Sequence, residues 1–382
     1  MPVNYLQIKE QLPSFCQKMK TQLMQMDARM ISAKEGLTLA AQTQQLAAER
    51  IKQASVSDPF LRCAMPGSER MDRSYPLPLA GFQGMILAAD GSQILPSRQR
   101  QVDFSVINVG LIAMSTGSGE APVIERQSQL VNYDQEELHG SVLSEGYIAL
   151  LRDLAERKVL LTAAQKYSQP VVTLTDGGLE LYLEQRPSGQ YDRALQEHRD
   201  TLSGLQQISA ITAGFVDKPG SSFVMRMLDI LAGRENRNPS EMGIDRLLFA
   251  QILTDPGSRS AIFQIVSPQN RQSDPAQSVH FFYMNTSSGS NPSLARIEIP
   301  SWVAANQNFT DTLHRVLFNQ CQSMHPAFPY LLHRAHEEAV ISMDEAGRVE
   351  EMLIQELYQQ QVPVGMVSGK QAGKDLSGRK RY

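Results

Sequence analysis

The chain is poor in the features that announce a specialised class. It has three cysteines in 382 residues, Cys16, Cys63 and Cys321, widely spaced and odd in number. They make neither a disulfide framework nor the paired spacing of a zinc site, which fits a reducing cytoplasm. No apolar run approaches the length of a membrane span, and the start Met1-Pro2-Val3-Asn4 lacks the basic and apolar regions of a secretory signal. Net charge is −4, so a nucleic-acid partner would have to be held by local charge rather than by a globally basic surface. Hydrophobic residues at 42% and charged residues at 20% suit a soluble globular chain able to bury one large core.

What is present begins with helix. Residues 1–57 place Leu23, Met24, Met30, Ile31, Leu37, Leu39, Leu46 and Ile51 at roughly helical spacing, a helical arm suited to dimer or partner contacts that breaks at Asp58-Pro59. Strands follow at 85–89, 104–114 and, briefly, at Val123-Ile124. A helix over 143–166, the buried strand 171–175, a helix over 192–208 and a strand at 210–216 come next. Further strands are expected at 260–266, 279–285 and 295–300, and helices at 225–231, 244–253, 309–323 and 330–360. This succession predicts an α/β domain over 80–360, a mixed sheet flanked by helices. The segment 365–382, with Lys370, Lys374, Arg379, Lys380 and Arg381, reads as a basic, disordered tail.

Two of the strands end alike. Ile86-Leu87-Ala88-Ala89-Asp90-Gly91-Ser92 runs from apolar residues to a carboxylate and an expected turn, and Val171-Val172-Thr173-Leu174-Thr175-Asp176-Gly177-Gly178 does the same. Asp-Gly after a strand is most often only a turn. Two such carboxylates at one sheet edge, however, are the hard oxygen ligands that Mg²⁺ or Mn²⁺ prefers for phosphodiester chemistry. A third carboxylate is expected from the helix before Asp176, either Glu145 or Glu156, and Glu156 can equally form a plain i, i+4 pair with Arg152.

The order of seven segments resembles the NurA nuclease family: Ala89-Asp90-Gly91-Ser92; Thr175-Asp176-Gly177-Gly178-Leu179; Ala213-Gly214-Phe215-Val216-Asp217-Lys218-Pro219; Asp245-Arg246-Leu247-Leu248-Phe249; Phe281-Phe282-Tyr283; Ala295-Arg296-Ile297-Glu298-Ile299-Pro300; and Arg334-Ala335-His336-Glu337. The resemblance implies an RNase H-like core, Mn²⁺-dependent DNA cleavage (5′–3′ exonuclease with single-strand endonuclease action), a homodimer, and work with a HerA-type hexameric ATPase in double-strand-break end resection. It implies metal ligation by Asp90 and Asp176, favours Glu156 through an Arg-x-x-x-Glu pattern, and gives His336 an active-site role, with His333 one turn away as a decoy. Lys218, Tyr330 and Arg296 become candidates for substrate contact; a solvated Lys218 and an Arg296–Glu298 ion pair are the plainer alternatives. Asp245 matches a family acidic position or serves as a helix N-terminal charge. Where the family has Tyr-Pro eight positions before the His, this chain has Phe328-Pro329. That substitution motivates the alternative of a non-catalytic DNA clamp on the same fold.

Overall fold

The structure is a computed structural model that describes residues 3–97, 100–131, 145–168, 170–181, 189–234 and 243–362. The expected basic tail and the first residues of the helix expected from 143 lie outside them. The elements, in chain order, begin with α1 (Tyr5–Gln42), α2 (Gln44–Ser57), β1 (Cys63–Pro66), β2 (Met85–Ile94), β3 (Val106–Ser115), β4 (Val123–Leu130) and α3 (Glu145–Ala164). They continue with β5 (Val171–Asp176), α4 (Gly189–Gln207), β6 (Ile211–Val216), α5 (Phe223–Leu231), α6 (Asp245–Ala250), β7 (Phe263–Val266) and α7 (Pro268–Gln272). Last come β8 (Val279–Asn285), β9 (Leu294–Pro300), α8 (Ser301–Ala304), α9 (Gln307–Gln322), α10 (Tyr330–Ala339) and α11 (Met343–Gln359). No helix among the described residues is long and apolar enough to cross a membrane.

The chain forms two compact units, each made of two segments: 1–79 with 215–322, and 80–214 with 323–382. The span expected as one domain, 80–360, is thus shared between them, because the chain leaves one unit at 214 and returns at 323.

In the first unit the strands run in the order β1-β7-β8-β9, antiparallel throughout. Its core is aromatic: Phe249 stacks on Tyr283 at 4.8 Å and Phe263 on Phe281 at 5.6 Å, contacts worth more than their buried area alone. Helix α1 divides in character. Met30, Ala33, Leu37 and Ala40 are buried, whereas Tyr5, Ile8, Leu12, Phe15 and Met19 of the same stripe are exposed.

In the second unit the order is β6-β5-β2-β3-β4. Strands β2, β3 and β4 form an antiparallel meander, and β5 returns parallel to β2 after α3. This mixed sheet with flanking helices is the expected α/β arrangement. Parallel neighbours need a crossover, and α3 supplies it. Strands β2 and β5 are buried along Met85–Ala89 and Val171–Thr175.

Three expectations change. Strand β2 does not end at Asp90 but continues to Ile94, with Asp90 paired to Gly110 and Gly91 to Val109; the Gly answers a packing need described below. Strand β4 is eight residues long and exposed along nearly its whole length, so it lacks the apolar alternation that would have marked it. The single helix expected over 330–360 is two. Helix α10 ends at Ala339 and α11 begins after a capping box in which Ser342 and Glu345 satisfy each other's backbone N–H groups.

Candidate active site

Strands β2 and β5 are parallel neighbours with Ala89 opposite Thr175. The next residue on each is a carboxylate, so Asp90 and Asp176 reach the same level of adjacent strands, about 4.8 Å apart by sheet geometry. Asp176 is the exposed last residue of β5, and Gly177 turns the chain with φ of +90°, a conformation that disfavours any side chain. The expected turn is therefore present after Asp176 and absent after Asp90.

Two glycines let helices close on β2 and β3. A Cβ at Gly110 would stand 2.5 Å from the carbonyl oxygen of Ala335 in α10. One at Gly91 would stand 2.6 Å from Glu156 Oε1 and 2.7 Å from Arg152 Cγ in α3. Successive strand residues alternate in direction, so β2 presents Asp90 toward α10 and the bare Gly91 toward α3. The end of α10 is pinned there by its orphan carbonyls. Asn108 Nδ2 donates to Ala339 O at 2.7 Å, and the Ser92 hydroxyl donates to the same oxygen.

This docking brings His336 to Asp90, with Nδ1 2.7 Å from Oδ2. An ionised carboxylate only accepts, so Nδ1 is the donor; in the neutral ring the lone pair then lies on Nε2. The His336 side chain is 59% exposed and that of Asp90 14%, so the pair sits at a half-open surface. His333 points into a surface pair with Glu337 instead.

Glu156 reaches the same stretch of β2 from the α3 side. It is 4% exposed, and Arg152 Nε lies 3.5 Å from its Oε1. Burial drives its carboxyl well above the ordinary value; the charges of Asp153 and Asp90 push the same way and those of Arg152 and Arg157 only partly offset them. A buried carboxylate so poorly compensated is the kind of group that a bound cation would relieve. Among the described residues no three His, Cys, Asp or Glu side chains stand in metal-ligating array. The donors themselves, Asp90, Glu156 and Asp176, are all hard oxygens and fit Mg²⁺ or Mn²⁺.

The remaining candidates lie elsewhere. Glu145 is the exposed first residue of α3. Tyr330 opens α10 and is 37% exposed. Phe328, two residues earlier, is half-buried. In the first unit, Lys218 is exposed in the turn after β6, at φ of +43°. Arg296 donates to Glu298 at 2.9 Å and to the Ser221 hydroxyl at 2.6 Å, which is the ion-pair arrangement. Both faces of β9 are buried at this point, with Glu298 2% exposed. Asp245 caps a helix, but not its own: it accepts from Val224 N at 3.0 Å and Met225 N at 2.9 Å in the first turn of α5, and from the Tyr283 hydroxyl at 2.9 Å.

The sequence reading took Gly91 and Ser92 for a turn and gave no sign of Gly110 and Asn108; together these four residues seat the helices. It also passed over the group of half-buried Asp153 with buried Arg157 and His198 behind Glu156. The Asp153–Arg157 spacing of i, i+4 was the one visible signal.

The NurA domain model matches residues 84–341. Among solved structures, the NurA nuclease from Sulfolobus solfataricus aligns with a TM-score of 0.52 at 12% identity, covering 75% of this chain and 88% of that one. The catalytic domain of human endonuclease V aligns with a TM-score of 0.36 at 11% identity, over 82% of this chain and 98% of that one. No curated protein matches the chain by sequence.

Proposed function

The chain belongs to the NurA family, and on that premise we propose that it is a divalent-metal-dependent deoxyribonuclease whose hydrolytic centre is Asp90, Glu156, Asp176 and His336. The observation that carries the reading is the 2.7 Å contact between His336 and Asp90, made on a strand whose parallel neighbour brings Asp176 to the same level.

In this reading Asp90, Asp176 and Glu156 would hold Mn²⁺, or Mg²⁺ in its place, and the chemistry such an ion would supply is polarisation of a phosphate oxygen and acidification of a water. The protein's own contribution is positional. Asp90 fixes the His336 ring through Nδ1, which leaves Nε2 facing solvent to take a proton from the attacking water or to give one to the leaving oxygen. Gly91 lets Glu156 approach β2, and Gly177 ends β5 so that Asp176 stands at an open edge. Exposed Lys218 is assigned to contact with the DNA, with phosphate charge as the attraction, and Tyr330 to contact through its hydroxyl; Arg296, committed to Glu298 and Ser221, is left to the fold.

The finer assignment follows the family resemblance. The enzyme acts as a 5′–3′ exonuclease with single-strand endonuclease action, as a cytoplasmic homodimer, beside a HerA-type ATPase at broken ends. The exposed stripe Tyr5, Ile8, Leu12, Phe15 and Met19 on α1 repeats at intervals of three and four, the spacing of a coiled-coil seam, and is assigned to the dimer. Combined Ile8→Ser, Leu12→Ser and Phe15→Ser substitutions should halve the mass seen by analytical ultracentrifugation; an unchanged mass rejects that seam.

The deciding experiment is cleavage of end-labelled single- and double-stranded DNA with Mn²⁺, Mg²⁺ or EDTA, wild type beside Asp90→Ala. Metal-dependent cutting should drop by about 10³-fold or more in the variant, about 4 kcal/mol of transition-state stabilisation. A wild type that binds DNA but cuts it with neither metal would replace this reading by the clamp, with Phe328 as the residue to explain.

A further inference from the structure

Behind Glu156 lies a largely enclosed polar group that the proposed chemistry does not use. Arg157 is 1% exposed. Its guanidinium grips Asp153 with two bonds, Nε to Oδ2 and Nη2 to Oδ1, both 3.2 Å. The other side of Asp153 meets His198 of α4, Oδ2 to Nε2 at 2.7 Å. Burial alone would raise the Asp153 carboxyl, but the Arg157 charge and the His198 bond outweigh it and hold it below the ordinary carboxylate range. Arg157 Nη1 then reaches across to Thr175 Oγ1 on β5 at 3.5 Å.

Two covalent neighbours make this placement matter. Arg157 follows Glu156 in α3, and Thr175 precedes Asp176 in β5. One guanidinium therefore touches the residue next to one candidate ligand while being itself next to another. Thr175 is also the register partner of Ala89, the residue before Asp90. Stability gives little reason to bury such a group: taking a guanidinium and a carboxylate out of water costs several kcal/mol, and apolar replacements of similar size are often as stable. What a bidentate Arg adds is fixed geometry, since its fork holds partners at set angles.

We propose that Arg157 is a positioning residue for the carboxylate centre, setting the separation of α3 from the end of β5 so that Glu156 and Asp176 are held for one divalent ion. This rests on the reading of Asp90, Glu156 and Asp176 as ion ligands. It makes the Asp153–Arg157–His198 group a determinant of ion affinity and turnover rather than of folding.

The test measures Mn²⁺ binding directly, by electron paramagnetic resonance of the free ion, on the full chain without DNA. Beside it run thermal unfolding and the division of cleavage between kcat and KM. The informative variant replaces the group by apolar residues together, Asp153→Leu with Arg157→Met and His198→Phe. It should unfold within a few degrees of wild type, yet bind Mn²⁺ at least 10-fold more weakly and lose kcat with KM for DNA unchanged. If that variant does not fold, Thr175→Val cuts the reach to β5 alone and should weaken Mn²⁺ binding about 3-fold. Wild-type Mn²⁺ affinity in the folded triple variant, or in Thr175→Val, overturns the proposal. Glu156→Gln separates the two levels. If it too binds Mn²⁺ as wild type does, the ligand assignment has failed and the positioning role falls with it. If Glu156→Gln loses Mn²⁺ while the other variants keep it, only the positioning role is lost.

Discussion

Two buried carboxylates, Asp245 in one unit and Glu156 in the other, belong to segments that pointed to the same family, yet their surroundings are opposite. Asp245 is wholly enclosed and accepts three hydrogen bonds, two from the first turn of α5 and one from Tyr283. The Tyr283 hydroxyl contacts Ser221, which accepts from Arg296, which in turn pairs with Glu298. Glu156 has a partner at 3.5 Å on its own helix and lies against a strand whose next residue is the half-open Asp90–His336 pair. Both are pushed upward by burial. The difference lies in lone pairs. Those of Asp245 are committed to the fold by three donors, while among the described residues the only ionic partner of Glu156 is Arg152, on its own helix at 3.5 Å. Burial and a raised pKa are common to both; what differs is how firmly each carboxyl is tied to the surrounding elements.

The sharpest way to break this contrast is to change Gly91. An alanine Cβ would press on Glu156 Oε1 and Arg152 Cγ at 2.6 and 2.7 Å, so α3 must shift away from β2 or Glu156 must turn aside. Overpacking of this sort costs about 1–3 kcal/mol, and on the proposed assignment cleavage should fall on the order of 100-fold because Glu156 has moved. Asp245→Asn, by comparison, should leave the cleavage rate within about 3-fold of wild type, since the residue lies outside the proposed centre and the amide oxygen keeps one of the two bonds from α5. An unaffected Gly91→Ala enzyme, or an inactive but folded Asp245→Asn, reverses the comparison. Steady-state cleavage of labelled DNA reads both.

The next effect is on stability against pH. Burial pushes the Asp245 carboxyl up to about 6 from 3.8, against the opposing pull of its hydrogen bonds. Between those values the folded protein holds a proton that the unfolded chain has released, so stability falls as pH rises through the window and is level above it. At 1.36 kcal/mol per unit this is about 3 kcal/mol. His314, in the same unit, works the other way. Burial lowers it to about 4 from 6.5, and its neutral ring meets Gly257 O at 2.6 Å. The unfolded chain takes up a proton first on acidification, so stability falls as pH drops from 6.5 toward 4, again by about 3 kcal/mol. The two slopes oppose each other in wild type. Relative to it, Asp245→Asn should lose stability between pH 6 and 4, and His314→Phe, which keeps an aromatic ring beside Phe282, should gain it. Urea unfolding across that range gives both slopes; parallel curves for all three proteins would remove the argument.

How much of this was legible follows from what sequence patterns can carry. The apolar runs 85–89 and 171–175 predicted the two central strands and the carboxylates that follow them, because burial on both faces leaves a continuous apolar signal. Asp90, Asp176 and His336 were named from the sequence; in the structure the residues before the two carboxylates, Ala89 and Thr175, are register partners, and His336 meets Asp90. The turn expected at Gly91 was misread because glycine signals two things, a turn or a close approach, and only the position of α3 tells them apart. Strand β4 was short in the reading because an exposed edge strand carries no hydrophobic period. The Asp153–Arg157–His198 group joins residues 45 apart, a long-range contact that no local pattern encodes.

The break between α10 and α11 was legible and still missed. Residues 330–360 were read as one helix, but Ser342-x-x-Glu345 is a start signal within that run. The structure obeys the signal: Glu345 N donates to Ser342 Oγ at 3.2 Å, and Ser342 N donates to Glu345 Oε2 at 2.8 Å. The stop has a consequence for the site. Because α10 ends at Ala339, its last carbonyls are free to accept from Ser92 and Asn108, which hold His336 over Asp90. Behind the break, Val349 and Leu353 of α11 pack on Ile94, Phe104 and Val106, so the second helix is anchored to the same two strands. Ser342→Ala should cost about 1 kcal/mol of stability, the usual loss of an N-cap, and leave DNA cleavage close to wild type, because the side chains that pin α10 are untouched. If cleavage instead falls in step with stability, the junction itself positions His336, and the pinning by Ser92 and Asn108 is not sufficient.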